Sequence, residues 1–361
     1  MTVVGARPQF IKLAPLAKAL DDHAFFRHIL VHTGQHYDSN MSQVFFDTLG
    51  IRSPDYQYTI SGTTQATQTA EMMVLLEQTC IEELPDAVVV FGDTNSTLAA
   101  ALVAAKLCIP IVHIEAGLRS FDMRMPEEVN RIITDHVSRY LSCPTDQAKN
   151  QLEKEGVHEK ATVDGDIMVD TLLHFLPLAE QRQGLLDTWN VLPDTYYVCT
   201  LHRNFNVDNE KNLAAIVGAL AATRVPIIFS LHPRTKKQLE HFSLYNRLIS
   251  YSHIHICEPL EYIDMLALMY FSRGIITDSG GIQKEAYLLK KPCITVRSTT
   301  EWGETVESGW NTLVCNKNTG MIDETLLTTA IEHPTAHREN WMPYYGDGKT
   351  VSRIIALLET I

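Results

Sequence analysis

Ile275-Ile276-Thr277-Asp278-Ser279-Gly280-Gly281-Ile282-Gln283-Lys284-Glu285-Ala286 is the stretch on which the reading of this chain turns. An apolar, β-branched run over 274–277 stops at Asp278-Ser279-Gly280-Gly281, and helix formers follow. The order is strand, glycine turn, helix. Glycines let backbone N–H groups approach a ligand closely, and a helix N-terminus carries partial positive charge. A diphosphate suits such a turn, with Glu285, one turn into the helix, placed to accept hydrogen bonds from ribose hydroxyls. The same residues also serve an ordinary βα connection with Ser279 as N-cap. The pattern is neither a Walker A loop nor G-x-G-x-x-G.

Outward from this segment, β-branched runs alternate with helical stretches along the whole chain. Strands are expected at 2–4, 28–32, 87–91, 109–114 and 161–163, then at 196–201, 226–231, 254–257, 274–277 and 293–296. Helical patterns cover 11–21, 67–83, 97–106, 127–137, 145–155, 209–222 and 262–269. Such alternation gives parallel sheets with crossover helices. A helical then loop-like stretch near 168–193 separates two similar halves. The expected architecture is α/β, two doubly wound Rossmann-like domains facing a cleft, with ligands at the carboxyl ends of the strands.

Composition narrows the partners. The 361 residues are 45% hydrophobic and 20% charged, which is globular and enough for two domains. A net charge of −13 argues against nucleic acid or an anionic membrane as partner, so an anionic ligand needs a local basic pocket. Seven cysteines, at 80, 108, 143, 199, 257, 293 and 315, are odd in number and lack a C-x-x-C pair. They read as free thiols in a reducing compartment, with no metal site among them. No apolar stretch is long enough to span a bilayer and no signal-peptide core is visible, so the expected compartment is the cytoplasm.

Polar residues gather where the strands end. Gly92-Asp93-Thr94-Asn95-Ser96-Thr97 follows one strand and Glu115-Ala116-Gly117-Leu118-Arg119 the next. His202-Arg203, His232-Pro233-Arg234 and Arg297 follow strands of the second half. Each has a structural explanation: Asp93 as a helix cap, Glu115 paired with Arg119, His202 as a satisfied half-buried histidine. Those explanations weaken jointly, because two carboxylates, two histidines and several arginines share the same sheet edges. Near the start, Val4-Gly5-Ala6-Arg7-Pro8-Gln9-Phe10-Ile11-Lys12 is a second glycine turn into a helix, with Arg7 suited to phosphate oxygens and Lys12 about one turn on. Glu127-Glu128 after Pro126 opens a further helix, where the dipole alone favours carboxylates.

Taken in order, Gly-Ala-Arg-Pro-Gln-Phe-Ile-Lys (5–12), Gly-Asp-Thr-Asn-Ser-Thr (92–97), His-Ile-Glu-Ala-Gly-Leu-Arg-Ser (113–120), Met-Pro-Glu-Glu-Val-Asn-Arg (125–131), Leu-His-Arg (201–203), Thr-Asp-Ser-Gly-Gly-Ile-Gln-Lys-Glu-Ala (277–286) and Tyr-Gly-Asp-Gly (345–348) span nearly the whole chain. Together they resemble the bacterial non-hydrolysing UDP-N-acetylglucosamine 2-epimerases. The resemblance implies a GT-B-type fold with an N-terminal domain over 1–167, a UDP-binding domain over 168–348 and a last helix, within 349–361, crossing back onto the first domain. It implies a UDP-sugar substrate, no cofactor, no metal, a homodimer and a place in cell-envelope polysaccharide synthesis. It assigns Asp93, Glu115 and Glu127 as catalytic carboxylates and His202 as the catalytic-site histidine. Arg7, Lys12, Ser279, Gly280, Gly281, Glu285 and Arg297 match positions that hold UDP.

The implied chemistry accounts for these residue types. The C2–H of an acetamido sugar is too weakly acidic for direct removal by a carboxylate. Departure of UDP from C1 creates oxocarbenium character that acidifies C2, and a carboxylate then takes the proton to leave a 2-acetamidoglucal. Re-addition with protonation from the other face completes the inversion, so two faces need two acid/base groups. The chain departs from the family in places. Relatives commonly carry more residues ahead of the first glycine turn, so the first strand is expected to be short. Many place a glutamate after Leu-His-Arg, where this chain has Asn204-Phe205-Asn206; many that are activated by their substrate carry Gln-His-Arg, where it has Gln35-His36-Tyr37. The wording over 5–12 and 120–131 looks closer to a branch acting on UDP-2,3-diacetamido-2,3-dideoxyglucuronate, whose C6 carboxylate Arg124 could meet. Three alternatives stay open: a hydrolysing 2-epimerase, a GT-B UDP-glycosyltransferase and a catalytically silent UDP-sugar sensor.

Overall fold

The computed structural model describes residues 1–35, 46, 48–157, 160–316, 319–334 and 340–361; His36 and Tyr37 lie outside them. The chain divides into two compact units, Met1–His174 with Pro343–Ile361, and Phe175–Met342.

In the first unit seven strands form one parallel sheet: β1 (Thr2–Val4), β2 (Leu30–His32), β3 (Tyr56–Gln57), β4 (Val88–Phe91), β5 (Ile111–Ile114), β6 (Tyr140–Cys143) and β7 (Ala161–Val163). Their order is β3-β2-β1-β4-β5-β6-β7. The central strands read Thr-Val-Val, Val-Val-Val-Phe and Ile-Val-His-Ile and are buried throughout, as expected for a parallel sheet covered on both faces. Helices Arg7–Asp21, Gln65–Glu83, Asn95–Lys106 and Pro126–Val137 connect them. The register Val88↔Ile111 to Phe91↔Ile114 brings Gly92 and Glu115 to the same edge, and β1 beside β4 brings Gly5 there too.

The returning C-terminal segment docks on this unit through backbone groups. Asp170 accepts from the N–H groups of Thr350 and Val351 at 3.2 and 3.0 Å, so it serves as an acidic cap for the helix Thr350–Leu358. The Tyr345–Gly348 turn makes the approach possible, with Asp166 N–H donating to the Tyr345 carbonyl at 2.8 Å and Gly346 at φ +103°.

The second unit repeats the plan with six parallel strands: β8 (Tyr197–Thr200), β9 (Ile227–Ser230), β10 (Ile254–Cys257), β11 (Gly274–Thr277), β12 (Cys293–Thr295) and β13 (Asn311–Leu313), in the order β10-β9-β8-β11-β12-β13. Each unit therefore reverses strand order once, between β1 and β4 and between β8 and β11. Ligands of doubly wound sheets bind outside the carboxyl ends of the strands at that reversal. β3, β6 and β13 were not expected from the sequence. All are short, and Tyr-Leu-Ser-Cys and Asn-Thr-Leu lack an apolar run; they exist because a neighbouring strand supplies their hydrogen bonds. Among the described residues no helix is long and apolar enough to cross a membrane.

Candidate active site

At the crest of the first sheet, Gly5 lies so close to Ser96 and Thr33 that a Cβ on it would stand 2.1 Å from both hydroxyls. The turn is fixed by Gln9, whose side-chain oxygen accepts from the N–H groups of Gly5 and Ala6 at 2.8 and 3.1 Å while its amide donates to Phe91 carbonyl and Thr97. Arg7 projects outward from the first helical turn. Lys12, one turn on, makes an ion pair with Glu115. Burial disfavours the Lys12 ammonium, but Glu115, aided by Asp166 and Asp93, outweighs it and raises its pKa above the ordinary value. Glu115 is buried and holds a left-handed backbone at φ +70°, which few non-glycine residues adopt without surrounding support.

Asp93 sits beside this pair. Arg131 bonds its carboxylate and Asn130 donates to its carbonyl at 2.9 Å, both from the helix Pro126–Val137. Thr94, not Asp93, caps the next helix, accepting from Thr97 N–H. Of the acidic pair that opens the helix Pro126–Val137, Glu128 is buried and accepts from Ser120 and Phe121 N–H at 2.9 Å each, whereas Glu127 is exposed. Among the described residues Glu127 has no hydrogen-bond or ion-pair partner.

The second unit builds its crest around Asp278, fully buried at the end of β11. Its carboxylate accepts from the N–H groups of His202 and Arg203 at 3.0 to 3.1 Å and from the Asn206 amide at 3.0 Å. Burial works against ionisation, but His202 and Asn206 more than offset it and lower the Asp278 pKa. His202 Nδ1 lies 3.2 Å from the same carboxylate, which leaves Nε2 for a ligand. Asn206, beyond the position where relatives place a glutamate, is thus an anchor of this turn. Ser279 occupies the N-cap position of the helix Gly280–Leu288 without making a side-chain cap hydrogen bond. A Cβ added at Gly281 would meet nothing within 4 Å.

Glu285 is buried one turn in, and burial pushes its pKa up from 4.5 to about 7 against the opposing pull of Tyr262 and Lys284. The Tyr262 hydroxyl is close enough to couple to it electrostatically, short of hydrogen-bonding geometry. Arg297, just past β12, makes a two-pronged bond to Glu301 at 2.8 and 2.9 Å. A cavity of about 230 Å³ opens here, lined by Arg203, Phe205, Arg297, Ser298 and Thr299. A larger one of about 510 Å³, among Met1, Phe26, Leu84 and Leu358, lies at the amino ends of β1 and β4, away from every residue named above.

The family model described as UDP-N-acetylglucosamine 2-epimerase matches residues 18–359. The chain belongs to that family. A UDP-N-acetylglucosamine 2-epimerase of Methanocaldococcus jannaschii is 45% identical over 363 residues, covering 99% of this chain and 97% of the relative. A UDP-2,3-diacetamido-2,3-dideoxy-D-glucuronate 2-epimerase of Pseudomonas aeruginosa is 43% identical over 364 residues, covering 99% and 98%. The crystal structure of the M. jannaschii UDP-GlcNAc 2-epimerase in complex with UDP-GlcNAc and UDP matches with a TM-score of 0.86 at 43% identity, over 100% of this chain and 99% of that one. The α/β GT-B-type architecture expected from the sequence is the one observed.

In this UDP-N-acetylglucosamine 2-epimerase family member, the crest of the first sheet gathers Lys12, Asp93 and Glu115, and the crest of the second gathers His202, Ser279, Gly280 and Gly281. Two local expectations need correction. Glu115 pairs with Lys12, while Arg119 is taken by Asp135 and Glu155. Arg124, suggested for a sugar carboxylate, is bonded at 2.8 Å through two nitrogens to Asp122. Sequence reasoning missed the roles of Gln9, Asp278, His113 and Asp135, which bind the chain's own backbone. One signal was available: Glu128, Arg131 and Asp135 recur at i, i+3 and i+7, one face of a helix.

Proposed function

We propose that this chain is a non-hydrolysing epimerase that inverts C2 of a UDP-linked 2-acetamido sugar, interconverting UDP-GlcNAc and UDP-ManNAc. The observation that carries the reading is the pairing of Glu115 with Lys12 beside Asp93 at one crest. Two carboxyl groups, one to take the proton and one to return it, are what a proton exchange across two faces of one carbon requires.

In this reading the C1–O bond breaks first, with its electron pair leaving on the diphosphate. The C2 proton then passes to a carboxylate, giving a 2-acetamidoglucal and UDP. Lys12, ion-paired with Glu115, holds that carboxylate at the crest as the proton acceptor. Asp93, drawn to Arg131, supplies a second group, and Glu127 a third. The diphosphate is assigned to the Ser279–Gly281 helix start, with Arg7, Arg297 and His202 Nε2 stabilising its developing charge. Buried Glu285 is assigned to the ribose hydroxyls.

The same chemistry on UDP-2,3-diacetamido-2,3-dideoxyglucuronate is a second reading, supported by the 43% identity to the P. aeruginosa relative. The working form is read as a cytoplasmic homodimer; exposed Val74 and Ile81, two turns apart on the helix Gln65–Glu83, support an apolar association surface. Proton NMR of each UDP-sugar with the protein in deuterated water tests the proposal. An epimerase yields a mixture of C2 epimers deuterated at C2. Free sugar would indicate the hydrolysing reaction, and an untouched C2 would indicate a glycosyltransferase or a sensor.

A further inference from the structure

The helix Pro126–Val137 turns a polar face inward. Glu128, Asn130, Thr134 and Asp135 are buried, while Val129, Ile132, Ile133 and Val137 are only half-buried. A buried carboxylate is unfavourable unless it is paired, so the partners of Asp135 indicate what it is for. Its Oδ1 lies 2.7 Å from His113 Nδ1, and its Oδ2 accepts from Gly117 N–H at 3.2 Å and from Arg119 at 2.7 Å. His113, fully buried on β5, turns its other ring nitrogen to the Gly92 carbonyl at 2.8 Å. The ring thus bridges the Asp135 carboxylate and the Gly92 carbonyl. Arg119 also bonds Glu155 at 2.8 and 2.7 Å, so its guanidinium joins both carboxylates.

The two arms of Asp135 end beside the two carboxylates assigned to C2. One arm, through His113, grips Gly92, the residue before Asp93. The other grips Gly117, two residues after Glu115. Gly92, Glu115 and Gly117 all lie in the left-handed region, at φ +60°, +70° and +82°. A Cβ on Gly92 would stand 3.2 Å from Glu115 Oε2, so the first turn abuts the carboxylate of the second. A strained turn persists only where its surroundings over-determine it, and here one carboxylate fixes both turns.

We propose that His113 and Asp135 form a positioning unit for the epimerisation: a single buried carboxylate sets the Asp93 turn through His113 and the Glu115 turn through Gly117, and so fixes the separation of the two groups that exchange the C2 proton. The inference rests on the functional reading above. Both side chains are fully buried, so they act through the turns and not on the sugar.

Asp135→Asn tests both arms, because an amide cannot accept from all of these donors; His113→Gln tests the Gly92 arm alone. For each full-length variant, kcat and KM for the UDP-sugar, calorimetric UDP affinity, thermal melting and release of free 2-acetamidoglucal are measured. Misplacement of reacting groups by a fraction of an ångström should lower kcat roughly 10–100-fold. KM and UDP affinity, set mainly by the second unit, should stay within about twofold. Glucal release should rise relative to epimer, since a misplaced pair can remove the proton from one face without returning it to the other. Turnover within twofold of the parent in both variants would overturn the proposal. So would a fall in kcat that only parallels lost UDP binding and early melting, or failure of both variants to fold, since either marks a purely structural pair. A parent chain that binds UDP but leaves C2 of both UDP-sugars untouched would overturn the functional reading, and this inference with it.

Discussion

The two units share one strand order, yet their crests are filled differently. In the first, the chain closes the crest with its own side chains: Gly5 against Ser96 and Thr33, Gln9 on the turn, Lys12 on Glu115, Arg131 on Asp93. In the second, Asp278 ties down the backbone of His202 and Arg203, and the helix start at Gly281 faces open space. Topology sets where a site forms; residue types set what it does there. The first crest is a set of charges held at fixed separations, suited to proton transfer. The second offers N–H groups and a helix N-terminus, suited to an anion.

The largest effect that could break this division concerns the charges. Asp93→Asn, Glu115→Gln and Glu127→Gln each keep side-chain shape and remove proton capacity, so each should lower kcat by roughly 10²–10⁴-fold. UDP affinity should hold, since none of the three carboxylates is assigned to the diphosphate. Turnover and C2 deuterium exchange measured together check the outcome. Parent rates in all three would reduce the carboxylates to ion-pair and capping residues.

The glycines sharpen the contrast. Gly281→Val places a side chain where the protein has none within 4 Å, so folding stability should change by less than about 0.5 kcal/mol while UDP binding is abolished. Gly5→Ala drives a methyl into two hydroxyls and should destabilise by about 1–3 kcal/mol. Melting curves and UDP titration of both variants decide it. An unfolded Gly281 variant, or one that binds UDP normally, would remove the distinction between an internal and a ligand-driven glycine.

Glu285 provides a pH handle on the second unit. Its pKa in the fold, about 7, lies above the ordinary 4.5, so the folded state favours the protonated form. The site's contribution is therefore intact below pH 4.5 and erodes as pH rises towards 7, by at most about 1.4 kcal/mol per unit. Glu285→Gln should match the parent's stability at low pH and gain on it up to pH 7, by an upper bound of about 3 kcal/mol. Its UDP affinity should fall. Melting temperatures of both proteins from pH 4.5 to 8 test this, and a constant difference across that range would mean that burial of Glu285 does not carry the shift.

Much of this was readable in advance. The β-branched runs that form the central strands are continuous because both faces of a parallel sheet are buried, and the polar residues that follow them fall at the two reversals of strand order. What escaped the reading is polar structure that serves the backbone. β6 contains a buried Ser142, and β13 begins with Asn311, so neither shows an apolar run. Asp135 and Asp278 bind nothing close to them in sequence, and Gln9 binds Gly5 and Ala6 nearby but also reaches Phe91, just as Asp278 reaches His202 and Asn206. Such partners become visible only once strand order has brought distant turns together.

The smallest effect concerns Glu301, which holds Arg297 in the second unit. That pair is half open to solvent on the Glu301 side, 48% exposed, so it contributes only about 0–1 kcal/mol to the fold. A diphosphate offers the same two-pronged geometry with more charge, and Arg297 must release Glu301 to take it. Arg297→Ala should weaken UDP binding by about 2–3 kcal/mol. Glu301→Gln should do the reverse on a smaller scale: it removes a competitor for the guanidinium and a charge that repels the diphosphate, so UDP should bind up to about 1 kcal/mol, or fivefold, more tightly. Both changes shrink as salt screens the charges. Calorimetric titration with UDP at low and high salt reads both variants. If Glu301→Gln bound UDP no more tightly than the parent, Arg297 would be held where it is for packing alone, and the anion site would have to rest on Arg7 and the helix start at Gly281.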